Sequence, residues 1–345
     1  MNITFLIGNG FDLNLGLNTL YSDFVKDYKG ISTDDEQLMH FRDYIKDNEE
    51  LWANAEIALG QYTGELGQGQ GAVFSKCHKD FCVHLSEYLK QEEWRVDYEK
   101  EADKIATAFL NLNAITKGFP VQEKRILSGL YKKREAEDIQ FSFVCYNYTY
   151  TLKQCLEVLK QKPNALGSHR HNGNSRKHMM GQFCQVHGTV DSEMVFGVHD
   201  ESQIADPTVF ECDYGEIYKN LLIKQQANNL YLEDTDNVAA KIINSSSLIY
   251  IYGMSIGKTD KLWWDRICTW LRHNSERHLI IQKYEMSPKE VFPVDYKINE
   301  QKQKRNILQY GKPNPQNDVE VEKRIHITGE NIFKEIKGIA GERIK

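Results

Sequence analysis

The chain begins with Ile3-Thr4-Phe5-Leu6-Ile7-Gly8-Asn9-Gly10, an apolar and partly β-branched run that ends in a glycine turn. This run predicts a buried strand, because a central parallel strand is covered on both faces. Apolar side chains then recur at helical spacing, at Tyr21, Phe24, Val25 and Tyr28. A strand, a glycine turn and a helix in this order predict the first unit of a nucleotide-binding α/β sheet.

A helical block is expected to follow this unit. Apolar residues recur on a charged background, which is typical of amphipathic helices, and no strand is expected before Ile139. The stretch 62–71 contains four glycines and predicts a flexible loop. We therefore expect a helical insertion over residues 31–138, with residues 1–30 and 139–345 forming a Rossmann-like nucleotide-binding domain.

Strand and helix patterns alternate in the second half of the chain. Strands are expected at residues 141–146, 185–190, 194–198, 247–252 and 278–282, and a last strand–helix pair at residues 324–336. Helices are expected at residues 150–160, 215–245 and 262–271, and a polar, basic loop at residues 163–180. The predicted fold is a doubly wound parallel α/β sheet with a large helical insertion after its first strand.

Four polar residues follow predicted strands, namely Asn9, Asn147, His187 and Ser255. Ligands of such sheets bind beyond the carboxyl ends of the strands. We therefore expect these four residues to line one cleft.

The composition excludes several classes of protein. The chain has 345 residues, with 43 Lys and Arg against 49 Asp and Glu, and a net charge of −6. Nucleic-acid backbones repel an acidic chain, so no nucleic-acid partner is expected. No apolar run approaches the roughly 18 residues of a membrane span, and the N-terminus lacks the basic region of a secretory signal. The seven cysteines do not suggest a disulfide framework, which favours a cytoplasmic protein.

The glycine turn at residues 8–10 has two interpretations. Its backbone N–H groups and the following helix suit a diphosphate. However, Leu13 occupies the position of the third glycine of the dinucleotide fingerprint, and no acidic residue ends a strand about twenty residues later. The alternative is a tight turn that requires glycine for a positive φ.

Asn147 and His187 also have alternative roles. The amide of Asn147 both donates and accepts hydrogen bonds, which suits ribose hydroxyls or a water molecule. Alternatively, it caps the following helix, for which Thr149 is an equally good candidate. His187 can act as a general base near neutral pH, or it is a hydrogen-bonded histidine of the core.

Two groups of potential metal ligands lack the paired C-x-x-C spacing of a structural zinc site, so no metal is predicted. They comprise Cys77, His78, Cys82 and His84 in one group, and His169, His171, His178 and Cys184 in the other. The second group lies in the basic loop, which we expect to form a mobile cationic flap or a solvated loop. Separately, Trp52 and Glu56 would share a helix face, so that the ring packs while Glu56 points into a cleft or to the surface.

The opening sequence Ile7-Gly8-Asn9-Gly10-Phe11-Asp12 strongly resembles the start of the bacterial abortive-infection AbiH family, as do the residues that continue it, Gly16-Leu17, Thr19, Tyr21 and Phe24. Further segments follow in the order that the family shows, namely Tyr146-Asn147-Tyr148-Thr149, His187-Gly188 and Gly253-Met254-Ser255 with Asp260. Trp52 and Glu56 resemble its early helical motif. The resemblance covers most of the chain.

AbiH proteins are similar to distant sirtuin-type folds, which implies a set of site residues. By this resemblance Gly8, Asn9 and Gly10 contact the NAD diphosphate and Ser255 contacts the adenosine half. Phe11 and Gly253 are further expected cofactor-binding residues. Asn147 would hold the nicotinamide ribose and His187 would be the base. Asp12 replaces a small residue of sirtuins, and would steady a cationic transition state or cap the helix.

The resemblance also implies an activity. The chain lacks the zinc ribbon of protein deacylases, which argues against peptide deacylation. We expect an NAD⁺ glycohydrolase of phage defence that releases nicotinamide and ADP-ribose when triggered, with NAD as substrate. The alternative is a non-catalytic NAD or ADP-ribose sensor that signals to a partner; a nuclease ranks last. A phage-derived trigger and a homo-oligomer are further expected partners, although no heptad pattern supports the oligomer.

Overall fold

A seven-stranded sheet forms the centre of the molecule, whose computed structural model describes residues 1–162, 164–192, 194–231, 235–255, 257, 260–283 and 293–343. The strands are β1 Asn2–Ile7, β2 Ile139–Cys145, β3 Ser168–His171, β4 Asn174–Gln185, β5 Leu248–Tyr252, β6 His278–Gln282 and β7 Ile325–Thr328. Their order across the sheet is β3-β4-β2-β1-β5-β6-β7. All neighbouring pairs are parallel except the hairpin of β3 and β4. The protein is therefore a mixed α/β fold with a mostly parallel sheet.

Fourteen α-helices are present in the described part of the chain. The first seven are α1 Gly10–Leu15, α2 Tyr21–Tyr28, α3 Glu36–Asp47, α4 Ala55–Tyr62, α5 Gly71–Glu93, α6 Ala102–Leu110 and α7 Val121–Lys133. The others are α8 Thr151–Lys160, α9 Gly215–Leu222, α10 Lys224–Tyr231, α11 Thr235–Ser245, α12 Lys261–His273, α13 Pro293–Leu308 and α14 Pro315–Glu322. No helix of the described residues combines the length and apolarity that crossing a membrane requires.

The helical block after the first strand is confirmed, since the chain forms only helices and loops between Ile7 and Ile139. Its core does not stop at residue 138, because Phe81 stacks on Phe196 with ring centroids 5.4 Å apart. Residues 190–223 supply further apolar side chains to the same core. The domain limits at residues 31 and 138 stay a prediction.

Side chains alternate across β1, as expected for a strand buried on both faces. Phe5 packs with helices α6 and α8 on one face of the sheet, through Phe109 and Leu152. Leu6 packs with helices α11 and α12 on the other face. Helices therefore cover both faces of the sheet.

The expected loop at residues 163–180 is wrong, because most of this stretch forms the β3–β4 hairpin. Asn172 and Gly173 connect the two strands, with φ angles of 49° and 81°. A two-residue Asn-Gly turn with both φ angles positive matches the twist of the strands it joins. The turn signal was present in the sequence but was outweighed by the polar character of the segment.

The strands expected at residues 185–190 and 194–198 are also wrong. Strand β4 already ends at Gln185, and Gly188, three residues later, takes a φ of 72°. Val195 then folds back, and its N–H group donates to the oxygen of His187 at 2.9 Å. Val198 forms only an isolated bridge with Ile223.

Two further expectations need correction. The last helix is a short 3-10 turn, Lys334–Ile336, after the expected strand β7. In the glycine-rich stretch, Thr63–Glu65 is a 3-10 turn and Gly71 already begins α5. The loop between Glu65 and Gly71 is held to the protein, because the N–H group of Gly69 donates to the carbonyl oxygen of Thr208 at 3.0 Å.

Candidate functional site

A cavity of about 820 Å³ lies at the carboxyl ends of β1, β2, β4 and β5. This volume is in the range of pockets for mid-sized organic ligands. Its wall includes eight of the nine residues expected to bind the ligand or act in catalysis, namely Gly8, Asn9, Gly10, Asp12, Asn147, His187, Gly253 and Ser255. The structure therefore brings the polar ends of four strands together in one place.

The glycine turn is in close contact with the loop after β5. The N–H groups of Gly8 and Gly10 donate to the carbonyl oxygens of Tyr252 and Gly253, each at 2.9 Å. A Cβ atom on Gly10 would lie 2.4 Å from the Cα atom of Gly253. Neither Gly8 nor Gly10 has a positive φ, so that part of the tight-turn interpretation is wrong. The glycines are instead required by this contact between two backbones.

Phe11 does not reach the cavity. Its ring packs edge-on against Phe333 with centroids 5.2 Å apart, and it is fully buried in the core. Its N–H group donates to the carbonyl oxygen of Gly8 at 3.0 Å. The N–H groups of residues 8, 10 and 11 are thus used within the protein. An aromatic ring beside a glycine turn gains more from burial than from a polar ligand, which explains its place in the core.

Asn9 uses its side chain to hold the chain between α1 and α2. Its Nδ2 group donates to the carbonyl oxygen of Thr19 at 3.0 Å, and Oδ1 accepts from the Thr19 hydroxyl at 2.5 Å. Asn9 therefore lines the cavity as a positioning residue for Thr19, which also belongs to the wall.

Asp12 is fully buried beside the end of β2. The hydroxyl of Thr149 donates to its Oδ2 atom at 2.6 Å, and the hydroxyl of Thr151 donates to Oδ1. Burial raises the pKa of Asp12 from 3.8 to about 6, against the interactions with Thr149, Thr151 and Asn147, which lower it. No cation pairs with this carboxyl group among the residues that the structure describes. The carboxyl group of Asp12 thus bonds to Thr149 and Thr151, at the start of α8, and does not cap helix α1.

Asn147 is the second residue after β2 and is buried in the cavity wall. Its carbonyl oxygen accepts from Nε2 of Gln185 at 2.8 Å. Its Nδ2 group makes no hydrogen bond of normal geometry in the described part of the chain, although the amide lies near enough to the Asp12 carboxylate to lower the pKa of that group. The cap interpretation is wrong for both candidates, because Tyr150 is the N-cap residue of α8 and makes no side-chain cap. The hydroxyl of Thr149 is bonded to Asp12 instead.

His187 lies between two tyrosine rings. Ring centroids are 5.9 Å apart for Tyr146 and 6.3 Å apart for Tyr148. Neither ring nitrogen has a hydrogen-bond partner within the described ranges, so this is not a hydrogen-bonded core histidine. Burial, and next the charge of Lys224, lower the pKa of His187 well below 6.5. The imidazole is therefore neutral at physiological pH.

A buried ion pair completes the cavity wall. Oε1 of Glu56 lies 2.7 Å from Nζ of Lys224, and also accepts from the hydroxyls of Tyr21 and Tyr148 at 3.2 and 3.3 Å. Trp52 is fully buried while Glu56 lines the cavity, as the cleft interpretation of that pair expects. Burial raises the pKa of Glu56, although Lys224 opposes the shift.

Lys224 was missed by the sequence reasoning. It lies at the start of α10, 168 positions from its partner Glu56, and no spacing pattern connects the two. Tyr148 was named only as part of a motif that resembles the family. No site role was predicted for it, because an aromatic residue after a strand is more often part of the core.

The two groups of possible metal ligands do not converge. No cluster of three or more His, Cys, Asp or Glu side chains is placed to hold a metal ion anywhere in the described ranges. Nε2 of His78 contacts the carbonyl oxygen of Phe196 at 2.8 Å. Nδ1 of His169 lies 2.9 Å from Nε2 of His178, across the β3–β4 hairpin. This hairpin stands where the flap was expected.

Comparison with known proteins gives one match. The family model described as "Bacteriophage abortive infection AbiH" matches residues 4–282. No curated protein and no solved structure matches the chain. The matched range contains every residue of the cavity named above.

Proposed function

The chain belongs to the bacteriophage abortive infection AbiH family, and from this premise we propose that it is a cytoplasmic phage-defence effector that hydrolyses NAD⁺ when triggered. The products would be nicotinamide and ADP-ribose. A phage-derived trigger, self-association and a sirtuin-like winding of the sheet are parts of this proposal.

The observation that carries the proposal is the pairing of two unsatisfied polar groups. The amide of Asn147 and the imidazole of His187 line one cavity. Among the described residues, no hydrogen-bond partner is found for Nδ2 of Asn147 or for either ring nitrogen of His187. Buried polar groups are normally hydrogen-bonded, since leaving them unpaired costs free energy. A ligand with hydroxyl groups, such as a ribose, would satisfy both.

Hydrolysis of the glycosidic bond develops positive charge on the ribose while neutral nicotinamide leaves. A water molecule then attacks C1′, and one proton is released to solvent. Asn147 would fix a ribose hydroxyl or the water, because its amide donates and accepts. Neutral His187 has a lone pair that accepts the proton. The carboxylate of Asp12, when ionised, would stabilise the cationic transition state in a site with little water.

The hydrogen bonds of the glycine turn favour a different role for these residues in our proposal. Since the N–H groups of Gly8, Gly10 and Phe11 are bonded within the protein, they do not form the expected diphosphate cradle. We therefore propose that the turn is a wall for the nicotinamide ribose. Ser255 is exposed at the cavity and is retained for the adenosine half.

A second function is favoured by the electrostatics of His187. Its lowered pKa makes the imidazole a weak base, and proton transfer is most effective when the pKa of the base is near the working pH. The same cavity would then hold NAD or ADP-ribose without turnover and signal to a partner.

Cellular NAD⁺ during infection distinguishes the two functions. For the hydrolase, we expect NAD⁺ to fall and ADP-ribose to accumulate in protected cells, and both effects to vanish in Asn147→Ala and His187→Ala. His273→Ala, on the exposed end of α12, is the control and should behave as wild type. Protection with constant NAD⁺ would reject the hydrolase, and tight ADP-ribose binding by the same protein would then support the sensor.

A further inference from the structure

Tyr146 is a polar residue of the cavity to which neither the sequence nor the family gives a role. It follows β2 directly and lines the cavity beside Asn147. Its ring packs edge-on against Trp263, with centroids 5.3 Å apart and planes at 78°. The phenol is thereby held with its ring centroid 5.9 Å from that of His187.

The hydroxyl group of Tyr146 is buried and finds no hydrogen-bond partner among the residues described. A phenylalanine would fill the same space without this cost, because removing an unpaired buried polar group is neutral or stabilising. Tyr250, on strand β5, two strands away from β2 in the sheet, also has a buried hydroxyl without a described partner. Both rings pack in the hydrophobic core, but only Tyr146 also lies in the wall of the cavity. An unpaired phenol alone therefore does not indicate a site; its place beside Asn147 and His187 does.

We propose that the Tyr146 hydroxyl is a third polar contact for the ligand, and donates a hydrogen bond to an oxygen of the ribosyl group held by Asn147 and His187. This inference rests on the proposed function, since it takes its ligand class, a ribosyl nucleotide, from it. Burial, followed by the charge of Asp260, raises the pKa of Tyr146 well above its ordinary value. The phenol is thus a donor at every physiological pH.

Tyr146→Phe and Tyr250→Phe form a matched pair for the test. Both remove one buried, unpaired hydroxyl and retain the ring. We expect neither variant to lower the melting temperature of the ligand-free protein. The affinity for ADP-ribose, measured by titration calorimetry on the full chain, should fall about 3- to 10-fold in Tyr146→Phe, which is the range for loss of one neutral hydrogen bond. It should stay unchanged in Tyr250→Phe.

Equal ADP-ribose affinities for wild type and Tyr146→Phe would overturn the inference and leave the proposed function standing. A clear drop in the melting temperature of ligand-free Tyr146→Phe would also overturn it, because the hydroxyl would then have a structural partner. If wild type binds neither ADP-ribose nor NAD⁺, the ligand class fails, and the proposed function and the inference fall together.

Discussion

The hydroxyl group of Thr149 donates a 2.6 Å hydrogen bond to Oδ2 of Asp12, and so joins the end of β2 to the first turn of α1. Thr151 donates to the other carboxylate oxygen. Both oxygens are thus held by hydroxyls, while the described residues provide no ion pair. The pKa of about 6 follows from this burial without a counter-charge.

We expect the contribution of Asp12 to stability to depend on pH. The pKa of Asp12 is about 6 in the folded protein and 3.8 as its ordinary value, so the folded state binds more protons between these values. Its contribution therefore falls as pH rises from about 4 to 6, by about 3 kcal/mol at most. Urea unfolding should show wild type losing this amount relative to Asp12→Asn between pH 4 and pH 7.5.

The control for the Asp12 experiment is Phe11→Leu, which removes no ionisable group. The stability cost of this variant should be equal at the two pH values. A constant difference between wild type and Asp12→Asn would contradict the raised pKa of the carboxyl group.

Gly10→Ala is expected to destabilise the protein by about 1–3 kcal/mol, because the new Cβ atom overlaps the backbone of Gly253 at 2.4 Å. Gly129→Ala is the matched control in helix α7, where nothing lies within 4 Å of a Cβ atom. It should stabilise the protein by about 0.5–1 kcal/mol through helix propensity. Thermal unfolding of both variants measures the contrast, and similar melting temperatures would mean that the two loops separate readily.

Glu56→Gln should cost about 3–5 kcal/mol in the free energy of unfolding, since it leaves Lys224 buried without its counter-charge. The double variant Glu56→Gln/Lys224→Met should recover part of this loss. Asp43→Asn breaks the exposed pair with Lys46 and should leave the denaturation midpoint unchanged. A double variant no more stable than the single one would show that the hydroxyl bonds of Glu56, and not the ion pair, determine the cost.

Phe11→Leu separates packing from ligand binding. Loss of the edge-on contact with Phe333 should lower stability by about 1–2 kcal/mol. The affinity for NAD⁺ should not change, because Phe11 is outside the cavity wall. A variant with normal stability and weakened NAD⁺ binding would restore Phe11 to the ligand site.

Strands β1, β2, β5 and β6 were predictable because apolar residues predominate in them, as parallel strands buried on both faces require. The β3–β4 hairpin was not, since β3 and the start of β4 form an edge of mostly exposed, basic residues. Only the turn at Asn172 and Gly173 carried the signal. The chain after β4 includes the positive φ of Gly188, which sequence alone does not fix.

The candidate site was predictable only where residues follow strands. Asn147 and His187 could be placed at one edge of the sheet, because parallel strands end on the same side. Glu56 and Lys224 meet only after the helical block has packed against residues 196–223. A local pattern contains no information on that packing. The internal bonding of the glycine turn was hidden for the same reason, as it depends on the loop after β5.

The ion pair of Glu56 and Lys224 joins helix α4, in the helical block after the first strand, to helix α10. Removing the helical block would remove one side of the cavity wall, and the ammonium group of Lys224 would lose its counter-charge. We therefore expect that neither the helical block nor the rest of the chain can be exchanged on its own. Exchange of the helical block between relatives should give a stable protein only when the receiving chain has a lysine placed to pair with the glutamate of the new block.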